Sequence, residues 1–164
     1  MKTEKIKFLP VACLLSLLVF TGCKDDKEDP PKPKSKTELL TAHQWVRQGW
    51  NISPAIDFDG DGTQENDLWP YVQTCNRDDF YFFTTSLVYT LEEGTTKCDE
   101  NDPQVIETGT WTWNSDETIL TVSPNGFPTA EVPVQELTES KMVWKEVVVI
   151  EGVTYTVITE LVKR

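Results

Sequence analysis

A single histidine in 164 residues removes most catalytic chemistry at the outset. Any relay that passes a proton through imidazole is confined to His43, and no nucleophile motif points at it, so a packing or capping role at the start of a strand suits it better. Zinc catalysis, which draws on several imidazole ligands, is disfavoured for the same reason. Basic residues are scarce as well: 15 Lys and Arg stand against 27 Asp and Glu, a net charge of −12. No basic stripe with interleaved aromatics occurs, and a polyanion repels phosphate backbones, which argues against a nucleic-acid partner. Internal repeats are missing. The longest apolar stretch, Phe8 to Phe20, is too short to cross a bilayer as a stable helix. Asp78 and Asp79 adjoin, but neighbouring strand residues point to opposite faces, so they read as solvated charges beside Arg77 rather than as an acid/base pair. The expectation is a protein without catalytic residues.

What the sequence does contain begins with an export signal. Lys2, Lys5 and Lys7 precede the apolar stretch, and small residues follow it, the order of an n-region, an h-region and a cut site. Phe20-Thr21-Gly22-Cys23 resembles the lipobox of bacterial lipoproteins, which implies removal of residues 1–22 and acylation of Cys23 by chains such as palmitate. Residues 24–36, KDDKEDPPKPKSK, hold nothing apolar to bury and three prolines that favour an extended chain. At about 3 Å per residue this spacer would hold a domain roughly 40 Å from its lipid. Its acidic start resembles a surface-export signal of outer-membrane lipoproteins. The expected place is therefore the outer membrane, lipid-anchored and facing outside, with the periplasmic leaflet as the alternative.

Losing three lysines and one glutamate with the signal leaves 12 basic and 26 acidic residues of the 15 and 27, a mature net charge of −14. Such a charge suits solubility and cation binding. The remaining residues 37–164 fit one domain with one core. Of the four cysteines, Cys13 leaves with the signal and Cys23 is committed to lipid. Cys75 and Cys98 remain in an oxidising compartment and are expected to pair, because no second pair of soft ligands lies near for a metal.

Thr37 to Ala42 reads as a short helical turn. From His43 onward, aromatic and β-branched residues alternate with polar ones between Gly, Asn, Asp and Pro. Strands are predicted near 44–51, 79–84, 87–92, 107–113, 118–123, 130–137, 141–149 and 153–162. Short links at 114–117 and 150–152 make their flanking strands antiparallel neighbours. Period two places Phe80 with Phe82 on one face. It likewise groups Gly109 with Trp111 and Trp113, Met142 with Trp144, and Val153 with Tyr155, Val157 and Leu161. Eight meandering strands with no long helix to cover them would expose open edges, so the sheet is predicted to close into an all-β, eight-stranded antiparallel up-and-down barrel.

Five segments together resemble small lipocalin-like lipoproteins of Gram-negative bacteria: LLTAHQWV (39–46), DFDGDG (57–62), CNRDDFYFF (75–83), EEGTTKCDENDPQ (92–104) and ETGTWTW (107–113). The resemblance spans residues 39–164 and implies a lipocalin-like barrel, a fold that often holds a small hydrophobic molecule. The expected ligand cavity is bordered by Trp45, Phe82, Trp111 and Trp144, with Gly109 leaving space between them. A filled tryptophan core is the competing expectation, in which case the function lies in a protein- or glycan-interaction surface or a structural role.

One further motif is chemical. Asp57, Asp59 and Asp61 alternate before Gly62, and Thr63 and Glu65 follow, as in the first part of a calcium loop whose oxygens wrap a hard cation. Position twelve is Leu68 instead of a bidentate Glu, so an EF-hand does not fit in detail. A looser calcium loop using Asp57, Asp59, Asp61, the Thr63 carbonyl and Glu65 is the expectation, against a solvated Asp-Gly turn.

Overall fold

The structure is a computed structural model that describes residues 32–164. The export segment and Cys23 lie outside the described residues. Ser35 opens the folded part with a reciprocal cap: its hydroxyl accepts from the Glu38 amide at 3.2 Å, and the Glu38 carboxylate accepts from the Ser35 amide at 2.6 Å. The helix that follows, α1 (Lys36–Thr41), has six residues and is marginal by itself. Tertiary contacts hold it, because Leu40 is fully buried and the Lys36 ammonium donates to the Glu117 carbonyl at 2.6 Å.

Nine strands follow: β1 (Gln44–Ile56), β2 (Glu65–Asp67), β3 (Phe80–Phe83), β4 (Val88–Glu92), β5 (Val105–Trp113), β6 (Ile119–Pro124), β7 (Ala130–Leu137), β8 (Lys141–Ile150) and β9 (Val153–Lys163). From β3 onward each strand pairs antiparallel with the next. The sheet closes because β1 pairs with β3 through Gln44–Val46 and with β9 through Trp45–Ser53. The result is the eight-stranded up-and-down barrel the alternation predicts. The short β2 was not expected; it pairs with the far half of β1, which runs five residues past its predicted end.

Turn chemistry sets several registers. Glu151 and Gly152 both have positive φ, as a two-residue hairpin turn that matches strand twist requires, and β8 and β9 stay in register from Ile150–Val153 to Lys141–Val162. This hairpin extends beyond the rest of the barrel. Its residues Val147 and Val149 are 62% and 66% exposed.

The core has two parts. Leu40, Trp45, Trp111, Leu120, Met142 and Leu161 fill the end of the barrel beneath α1, each at most 1% exposed. Two of the tryptophans are anchored there by their N–H groups, Trp45 to the Leu40 carbonyl at 2.9 Å and Trp111 to the Thr84 carbonyl at 3.2 Å. A smaller cluster of Ile52, Leu68 and Val157 lies on the extended β1 and β9 segments, with Trp50, Ile56, Val148 and Tyr155 against it.

One face assignment is corrected. In Phe80–Phe83 the sequence is FYFF, so period two has no polar residue to mark its phase. Tyr81 and Phe83 belong to the interior, with Phe83 1% exposed. Phe80 is covered on the other face by the Arg164 guanidinium, 4.4 Å from its ring centre, and Phe82, two residues on, shares that outer face.

Candidate ligand cavity

Above the tryptophan floor the interior opens into a cavity of about 150 Å³. Its walls come from β3, β4, β6, β7 and β8: Tyr81, Phe83, Tyr89, Leu120, Val132 and Trp144 among them. Tyr81 meets Trp144 edge to face at 5.4 Å between ring centres, and Phe83 stacks on Tyr89 at 5.9 Å. These contacts lock the rings in place, which keeps the space open instead of letting one ring swing into it.

Two carboxylates also line this apolar space, Glu107 on β5 and Glu146 on β8. Glu107 accepts from the Tyr89 hydroxyl at 2.6 Å. Burial first, and that hydrogen bond after it, push the Tyr89 phenol well up from its ordinary value, so it stays a donor. Burial likewise raises the Tyr81 phenol, while Arg47 opposes the rise and donates to its oxygen at 3.3 Å.

Tyr81 also lines a second, more polar cavity of about 270 Å³ with Arg47, Asp79, Leu91, Glu93 and Ile106. Glu93 is only 6% exposed. Burial, with Glu93 and Asp78 adding, holds the Asp79 carboxyl above the usual carboxylate range against the Gly94 amide that hydrogen-bonds it. Its neighbour Asp78 goes the other way. Burial works to raise it, but hydrogen bonds from the hydroxyls and amides of Thr95 and Thr96 together outweigh that and hold it well below the usual range. The two aspartates thus do not converge, as strand alternation predicts, but neither is a freely solvated charge. Both fasten the 93–104 loop to the start of β3. The Cys75–Cys98 disulfide, with Cα atoms 5.2 Å apart, ties the same two segments, as the cysteine count led one to expect.

Among the four residues expected to border the cavity, only Trp144 does. Trp45 and Trp111 lie in the sealed floor, 0% and 1% exposed, because α1 covers that end of the barrel. Phe82 faces away from the interior for the reason of phase given above. The space expected at Gly109 is taken: Tyr89 pairs with it across β4 and β5, and a Cβ there would meet the Ser123 carbonyl oxygen as well as Tyr89 Cε1 at 2.7 Å. Tyr81, Phe83, Tyr89, Glu107 and Glu146 take the missing places. The last two were legible, since Glu107 shares the period-two face of Gly109 and Trp111, and Glu146 that of Met142 and Trp144. His43 packs edge to face on Trp45 at 6.3 Å, in keeping with a packing role.

In the acidic loop the carboxylate oxygens of Asp57, Asp59 and Asp61 lie within 4.8 Å of one another, all exposed. Each carboxylate also accepts a turn hydrogen bond, from the amides of Gly62, Asp61 and Thr63 respectively. Glu65 does not join the three; it sits in β2 and accepts from the Phe58 amide at 3.0 Å. These bonds account for the loop by themselves, so its geometry adds only the convergence of three oxygens to the calcium expectation.

No curated protein sequence matches the chain. Among solved structures, bovine odorant binding protein in complex with a selenium-containing odorant is similar over 83% of this chain and 77% of that one, with 11% identity and a TM-score of 0.42. Residues 45–144, which run from the floor tryptophan of β1 to the cavity tryptophan of β8, match the family of the lipocalin-like domain, and the chain belongs to that family.

Proposed function

We propose that this chain is a non-catalytic binding protein, exported and held at the outer membrane through lipid on Cys23, whose barrel takes a small apolar ligand into the cavity above the tryptophan floor. The observation that carries the reading is an apolar, aromatic-walled space over a sealed core, within a barrel family that binds small hydrophobic ligands. Space of this size suits one ring with a short substituent, since a dry cavity of roughly 150 Å³ admits benzene. Burying about 200 Å² of apolar ligand surface gains roughly 5 kcal/mol before the costs of association, which caps the affinity of a neutral one-ring compound at about 0.2 mM.

Isothermal titration with 4-propylphenol tests it. Binding is expected in the native chain and is expected to vanish in Ala130→Phe, where an exposed cavity-lining position receives a ring that occupies the space without overfilling the core. No heat of binding from the native chain with either 4-propylphenol or its amine counterpart tyramine, or equal binding by the variant, removes the cavity as the ligand site. The function would then pass to the outer surface. For the anchor, metabolic labelling with a fatty acid is expected to mark the chain and to be lost in Cys23→Ser. Label retained by that variant would refute the proposed attachment.

A further inference from the structure

Resting on the reading of this cavity as a ligand site, we infer that its ligand is a one-ring aromatic amine, whose ammonium group is received by Glu107 and Glu146. Both carboxylates line the cavity, from the non-adjacent strands β5 and β8, and no basic side chain among the described residues lines it with them. Glu107 spends one lone pair on the Tyr89 hydroxyl and has more to offer. Glu146 has no hydrogen bond or ion pair among the described residues. Arg47 is the cation to weigh against them. It lines the adjoining cavity, where Asp79 and Glu93 also stand, so the acids around Tyr81 outnumber it.

The choice of head group follows from what each ligand would do to these carboxylates. A neutral apolar molecule strips the remaining water from these half-buried carboxylates and returns nothing, which is costly for a charge. A fatty acid adds like-charge repulsion on top of that. An ammonium restores the lost solvation with charge-assisted hydrogen bonds and lies among the rings of Tyr81, Phe83 and Trp144, whose π-systems attract cations. The chain's net charge of −12 also draws cations toward it. One polar group in the wall remains over. Trp144 is 8% exposed and its indole N–H is buried without a partner among the described residues, so an acceptor on the ring, such as a phenol oxygen, has a donor to meet.

Three compounds that share a phenol ring and differ in the end of the side chain separate this inference from the reading beneath it: tyramine, 4-propylphenol and 3-(4-hydroxyphenyl)propionate. Isothermal titration is expected to show tyramine binding at least about 30-fold more tightly than 4-propylphenol, and the carboxylate not at all. In Glu107→Gln and in Glu146→Gln, each checked for native circular dichroism, the preference for tyramine over 4-propylphenol is expected to fall about tenfold. Equal affinity for tyramine and 4-propylphenol, tighter binding of the carboxylate, or a preference that survives both substitutions overturns the amine and leaves the apolar cavity standing. Failure of all three compounds to bind overturns both.

Discussion

Gly109→Ala is expected to destabilise the barrel by about 2–3 kcal/mol, the range of a core position forced to hold one group too many. Its backbone lies between the Tyr89 ring on β4 and the Ser123–Pro124 backbone on β6. A methyl group there meets Tyr89 Cε1 at 2.7 Å and the Pro124 Cα at 2.8 Å, and comes closer still to the Ser123 carbonyl oxygen. Tyr89 has little freedom to yield because its hydroxyl is held by Glu107. The β6 backbone has less, since moving it disturbs ladders to both β5 and β7. Urea denaturation measures the loss, and a change below about 0.5 kcal/mol would show that β6 accommodates the methyl. For the same reason Gly109→Leu, which reads from sequence as a way to plug a cavity, is expected to prevent folding instead.

Removing the disulfide is expected to cost about as much by a different route. Replacing Cys75 and Cys98 with serine opens a loop of 23 residues, and the chain entropy released to the unfolded state corresponds to roughly 3 kcal/mol. For a domain of this size the melting temperature should fall by about 10 °C. The native loop is expected to keep its place, because Asp78 still holds Thr95 and Thr96, and Asp79 still holds the Gly94 amide. Far-ultraviolet circular dichroism at low temperature should therefore match that of the oxidised protein while the midpoint shifts. A midpoint that does not move on replacing both cysteines would show that the side-chain clamp alone restrains the loop.

Much of the barrel is visible in particular residues of the sequence. The alternation in ETGTWTW puts Glu107, Gly109, Trp111 and Trp113 on one face, and the structure keeps that face inside. Met142 and Trp144 share theirs in the same way, and Glu146 continues it into the cavity wall. Tightly linked strand pairs left antiparallel pairing as the only short connection, and the Glu151–Gly152 turn bears this out. Other elements were not legible. FYFF carries no polar residue to set its phase, so nothing in it marks Tyr81 and Phe83 instead of Phe80 and Phe82 as the interior pair. Strand β2 is three residues long and exists only because β1 runs on to pair with it.

The sequence by itself determined the order of the eight barrel strands, the antiparallel closure and the pairing of Cys75 with Cys98, because alternation, turn residues and cysteine count act locally or by elimination. Only the tertiary structure decided which aromatics fill the floor and which wall a space. That division depends on α1 burying Leu40 against one end of the barrel, and on Tyr89 lying across Gly109 from the neighbouring strand. Both are contacts between segments distant in the chain, and no spacing within a single strand encodes them.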